Sequence, residues 1–174
     1  MRPSKRTVQT DQRVWTIREI EAKDNARIEQ IIRECLLEYD GKREGTAWYD
    51  PDLCRFSEIY GIAGKRYWIA EDETGTVVGG VGIGPLDGDH SGEQICELQK
   101  MYCIPSVRGS GIAHLLLETA LDYAAVMYKT CYLETFENMK PAQKFYEKHG
   151  FIRTDQTLGD TGHYGCEVRY IRAL

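Results

Sequence analysis

Residues 95–136 constrain the fold more than any other stretch. "ICELQKMYCI" (95–104) is apolar and β-prone and stops at Pro105. "SVRGSG" (106–111) follows, with two glycines two residues apart. A helix-periodic run from about Gly111 to Met127 comes next, and "TCYLETF" (130–136) is again β-prone. Strand, glycine turn, helix and strand in that order predict a right-handed β-α-β crossover joining two parallel strands. Ile112, Leu115, Leu116, Thr119, Ala120 and Tyr123 would form the inner stripe of its helix.

The rest of the chain must fit around that unit. "WTIREI" (15–20) reads as a strand and residues 24–41 as an amphipathic helix with Asp24 at its cap and Gly41 at its end. Asp50 and Pro51 suggest a second helix over 50–61. Residues 66–86 read as a hairpin turning at Glu73–Thr74–Gly75. "NMKPAQKFYEKHG" (138–150) predicts a helix capped by Asn138, and "FIRTD" and "CEVRYIRAL" are closing strands. Residues 1–14, polar and basic, are expected to be a flexible tail, with one domain over 15–174. The fold class is therefore α/β, a mixed sheet flanked by about four helices.

Composition excludes several functions. A net charge of −5 argues against a broad nucleic-acid surface. No apolar run approaches the length of a membrane span, and the N-terminus lacks an apolar signal core, so a cytoplasmic protein with no membrane partner is expected. The six cysteines show no CxxC spacing, so no metal site is expected and the thiols read as reduced.

A glycine turn before a helix is either a tight corner or an anion cradle. Unpaired N–H groups, the helix dipole, the close approach that glycine permits and the charge of Arg108 all suit a pyrophosphate. A P-loop is excluded because no Gly-Lys precedes Ser or Thr. A dinucleotide fingerprint is excluded because His114 stands where its third glycine belongs.

"ELQKMYCIPSVRGSGIAHLLLETALDYA" followed by "YLETFENMKPAQKFYEKHGF" resembles the GNAT acetyltransferase superfamily, most strongly over 95–154 and more loosely over 15–86. The family's coenzyme A loop, Q/R-x-x-G-x-G/A, meets Ser106 at its first position, a departure. The variant RGxGIG/A matches Arg108, Gly109, Ser110, Gly111, Ile112 and Ala113. The resemblance implies acetyl-CoA as co-substrate and direct acetyl transfer to a primary amine, with a small-molecule acceptor expected first. A peptide or protein acceptor, or a non-catalytic acyl-CoA sensor, are its alternatives, and a homodimer is common in the family.

The resemblance also implies site residues. Glu97 would draw the proton from the amine, with Glu134 as rival base or amine ligand. Main-chain groups of Met101, Tyr102 and Cys103 would hold the pantetheine and the oxyanion, which leaves Cys103 no role as a nucleophile. Tyr146 would protonate the departing thiolate, and Asn138 would reach the pantetheine amide. Strand alternation places Glu97, Gln99 and Met101 on one face and Leu98, Lys100 and Tyr102 on the other. Tyr39, Trp48, Tyr49, Arg55, His163 and Tyr164 are candidates for the acceptor side.

Overall fold

The computed structural model describes residues 5–10 and 13–174. Eight strands form one sheet: β1 (Arg6–Thr10), β2 (Arg13–Glu19), β3 (Arg66–Glu71), β4 (Val77–Pro85), β5 (Ile95–Cys103), β6 (Thr130–Thr135), β7 (Ile152–Thr154) and β8 (Val168–Ala173). Their spatial order is β1-β2-β3-β4-β5-β6-β8-β7. Among the described residues only β5 and β6 run parallel, as the crossover predicted; the other neighbours are antiparallel.

The helices are α1 (Asn25–Leu37), α2 (Phe56–Ile59), α3 (Ile112–Ala124) and α4 (Lys140–Lys148). Helix α1 buries Ile28, Ile31, Ile32, Cys35 and Leu36 against one face of the sheet, together with Phe56, Tyr60 and Tyr67. On the opposite face α3 buries Ile112, Leu115, Leu116, Leu117, Ala120, Leu121 and Ala124. Those side chains meet Val81, Ile83, Cys96, Leu98 and Leu133, and Tyr146 of α4 joins the same core. Glycines in β4 make room for the aromatic cluster: a Cβ at Gly80 or Gly82 would lie 2.6 or 2.9 Å from the Tyr67 ring.

Several local expectations need correction. The expected tail contains strand β1, which pairs with β2 from Arg6↔Ile17 to Thr10↔Arg13. Thr10 accepts the Trp15 indole N–H at 2.8 Å and donates to the Ser110 carbonyl at 2.8 Å, contacts invisible in a polar, basic string. Asp24 does not cap α1 through its side chain. Its carboxylate instead takes the Arg18 guanidinium bidentately at 2.7 and 3.0 Å, because Arg18 is buried and needs an anion. The helix expected over 50–61 is one short turn, α2, preceded by 3₁₀ turns at Ala47–Tyr49 and Leu53–Arg55.

The largest correction lies in β5. Gly82 faces Gln99, but Gly80 faces Tyr102, so Lys100 and Met101 together oppose Val81. Lys100 has φ 49°, the left-handed region. This is a β-bulge, and an extra residue shifts the alternation that follows it. Glu97, Gln99 and Tyr102 therefore share the α1 face, while Met101 joins Leu98 and Cys103 on the α3 face.

Candidate active site

The pairing of β5 with β6 covers only Ile95↔Thr130, Cys96↔Cys131 and Glu97↔Tyr132. Beyond Glu97 the two strands part, and this stretch of the outer edge of β5 has no strand partner among the described residues. A cavity of about 320 Å³ fills the fork. Met101, Tyr102 and Cys103 line it from β5, Glu134 from β6, Tyr146 from α4, Tyr39 beyond α1, and Arg108, Gly109 and Ala113 from the turn before and into α3. A smaller chamber of about 50 Å³ adjoins it, lined by Glu97, Gln99, Lys100, Glu134 and His163 among others.

At the cavity's open end lies the glycine turn. Gly109 and Gly111 have φ 80° and 88°, conformations in which other L-residues are strained, so the two glycines are required by the path of the chain. No main-chain acceptor among the described residues takes the N–H groups of Gly109, Gly111, Ile112 or Ala113. A Cβ at Gly109 would meet nothing within 4 Å, so the turn is open to a ligand. Open space, unpartnered donors and a helix N-terminus make an anion cradle that fits a pyrophosphate. Thr10 braces it through the Ser110 carbonyl. A Thr10→Val variant loses this bond and orphans the Trp15 N–H. Its KM for acetyl-CoA is expected to rise about 2- to 10-fold with kcat little changed, as initial rates over a cofactor series would show.

Arg108 departs from expectation. Its guanidinium bonds both oxygens of Glu38 at 2.7 and 2.8 Å, and its Nε donates to the Cys103 carbonyl at 3.1 Å. The charge that seemed free for a phosphate is matched by a carboxylate just past the end of α1. Glu38 is held below the usual carboxylate range by that hydrogen bond.

Glu97 is 5 % exposed and sits where the strands part. Its Oε2 accepts from Gln99 Nε2 at 2.6 Å, and Gln99 Oε1 accepts from Tyr60 OH at 2.8 Å. Burial pushes the Glu97 carboxyl up, against the lowering effect of Gln99 and Lys100. Both oxygens of Glu134 are occupied, by Tyr132 OH and by Thr161 Oγ1, each at 2.7 Å. Of the two rival carboxylates, Glu97 alone keeps an oxygen without a protein partner among the described residues. Tyr146 lines the cavity, and its hydroxyl has no hydrogen-bond partner among the described residues. Burial holds its phenol protonated far above neutrality. Burial likewise pushes the Cys103 thiol up to about 12, a poor setting for a nucleophile.

Other expected residues fall elsewhere. Asn138 does not cap α4, whose cap position is Met139; its amide donates to the Tyr39 carbonyl at 3.0 Å, outside the cavity lining. Trp48 packs under Arg33 and Lys42 and lines neither cavity. Arg55 pairs with Asp52 and Glu58 on the surface, and Tyr49 and Tyr164 are exposed. His163 does reach the chamber. Its Nε2 lies 3.1 Å from Asp50 Oδ2 and 3.1 Å from Lys100 Nζ, while Lys100 Nζ lies 2.6 Å from Asp50 Oδ2.

Asp50 and Lys100 were not legible as site residues, because the bulge that turns Lys100 inward leaves no periodic trace. Burial pushes the Asp50 carboxyl up, but His163 and Lys100 outweigh it and bring it to about 2. A native value below the unfolded one (~3.9) adds stability above pH ~4 that is lost as pH falls toward 2. The stability gap between wild type and Asp50→Asn should therefore shrink between pH 6 and pH 3 in urea unfolding.

Known proteins share this sequence pattern and fold. The acetyltransferase (GNAT) domain pattern matches residues 63–153. The chain is 44% identical over 160 residues to the uncharacterised N-acetyltransferase YjgM of Escherichia coli K12, covering 91% of this chain and 94% of that protein. A GNAT-family acetyltransferase from Staphylococcus aureus Mu50 superposes with TM-score 0.79 at 23% identity, over 92% of this chain and 99% of that one. A GNAT phosphinothricin acetyltransferase from Sinorhizobium meliloti, solved with acetyl-CoA, superposes with TM-score 0.71 at 22% identity, over 92% and 88%. A forked parallel strand pair with a glycine cradle at its mouth, carried on a sequence this close to a named N-acetyltransferase, places the chain in the GNAT acetyltransferase family.

Proposed function

We propose that the chain transfers an acetyl group from acetyl-CoA directly to a primary amine of a small molecule. One observation carries this reading. The fork between β5 and β6 joins an anion cradle at its mouth to a buried carboxylate, Glu97, at its apex, with the Tyr146 hydroxyl in its wall. Bound acetyl-CoA would supply an activated carbonyl on a thioester. The N–H groups of residues 109–113 would take its pyrophosphate, and the free edge of β5 at Met101–Cys103 would hold the pantetheine and the developing oxyanion.

Glu97 would then act as base. A free alkylamine is largely protonated at neutral pH, and only its neutral form attacks. A carboxylate raised by burial, with one oxygen free, suits that proton transfer directly or through one water. Tyr146, kept protonated by burial, would hand its proton to the departing thiolate. The chamber at the apex, about 50 Å³, favours a small acceptor over a peptide backbone. No helix among the described residues is long and apolar enough to cross a membrane.

Thiol release from acetyl-CoA across a panel of amines tests the reading. Amine-dependent appearance of free coenzyme A thiol is the expected result. Tight coenzyme A binding by calorimetry without turnover of any amine would instead identify a sensor.

A further inference from the structure

We infer that the Lys100 ammonium is a specificity determinant for the acceptor, selecting an amine that carries a carboxylate on the adjacent carbon, an α-amino acid, over amines that lack one. The inference rests on the acetyltransferase reading above and goes on to name its substrate class.

Its first support is the backbone. Lys100 occupies the left-handed region at φ 49°, where a β-carbon is strained and glycine would not be. A strained lysine is present where an unstrained residue would make the same bulge. The bulge turns its side chain out of the strand's alternation into the fork, where it lines both the large cavity and the small chamber.

Hydrogen-bond inventory gives the second. An ammonium has three N–H donors. Asp50 Oδ2 at 2.6 Å takes one; His163 Nε2, 3.1 Å from both Lys100 Nζ and Asp50 Oδ2, can accept from the lysine or donate to the carboxylate but not both, and no other acceptor among the described residues is within reach, so at least one donor is left over. The side chain is only 11 % exposed, so the remaining donor has the cavity before it rather than bulk solvent. Asp50, which balances the charge, lines neither cavity. The cation faces the ligand space and its counter-ion does not.

The third support is what stands nearby. Glu97 and Glu134 line the same small chamber as Lys100. Glu134 is already held by Tyr132, Thr161 and Arg169, which leaves the free oxygen of Glu97 and the Lys100 ammonium around about 50 Å³ to complement an amine and an anion held close together, as on one α-carbon. A polyamine would bring a second cation toward Lys100 in a water-poor space, where like charges repel strongly.

The test compares amino acids with their decarboxylated twins: L-methionine against 3-(methylthio)propylamine, L-phenylalanine against 2-phenylethylamine, with spermidine as a polycation. For wild type, kcat/KM for the amino acid should exceed that for its twin by on the order of 10- to 100-fold. Lys100→Met should bring the ratio near one, mainly through the amino acid's KM, and Lys100→Arg should keep most of it. If Lys100 served only to pin Asp50 and His163, Lys100→Met would lower both rates alike, and the inference would be overturned. Preference of the wild type for the twins or for spermidine would also overturn it while leaving the acetyltransferase reading intact. Absence of turnover with every amine would remove that reading and the inference together.

Discussion

Replacing Glu97 with Gln is expected to lower kcat/KM for the amine by about 10²- to 10⁴-fold, the range of a lost general base. Gln keeps the volume and can still accept from Gln99, so packing at the fork should survive. It cannot take a proton. Because burial raises the Glu97 carboxyl, the wild-type acid limb should lie above the ordinary carboxylate range, with activity falling as pH drops and the base becomes protonated. In the variant that limb should disappear, and the residual rate should climb toward pH 10 as the amine loses its proton unaided. A pH–rate profile with an unshifted acid limb in Glu97→Gln would transfer the base role to Glu134. Affinity for acetyl-CoA, measured by calorimetry, should barely change.

The second large effect is expected at Tyr146→Phe, a fall in kcat of about 10²-fold or more. The ring stays, with its neighbours Phe145, Phe151 and Tyr170, so folding and cofactor binding should be kept. What is lost is a hydroxyl without a protein partner. The discriminating measurement varies the leaving group. An acetyl thioester of a more acidic thiol needs less protonation, so the gap between variant and wild type should narrow with it. An equal gap for both thioesters would mean that Tyr146 only shapes the cavity.

Much of this site was readable before any coordinates, and the reasons differ by residue. Gly109 and Gly111 were readable because a left-handed turn before a helix admits little else. Glu97 and Glu134 were readable as rivals, since both lie on strands flanking the crossover; only the hydrogen bonds of Thr161 and Tyr132 to Glu134 separate them. The face of Lys100 was misread because alternation assumes one residue per rung, and a bulge breaks that count without changing composition. Arg108 was read as a free charge because its partner Glu38 is 70 residues away. Asn138 sits where a cap belongs, but Met139 and Lys140 begin the helix one turn position later and leave its amide for Tyr39.

The brace between Thr10 and Ser110 has a practical corollary for handling the protein. Trp15, Thr10 and the Ser110 carbonyl form a line of contact from an edge strand to the cradle. An affinity tag or a trimmed start that perturbs residues 6–10 would thus alter cofactor affinity while leaving the apex of the fork untouched. Kinetic comparisons between preparations that differ only at the amino end would then report on the tag as much as on the enzyme.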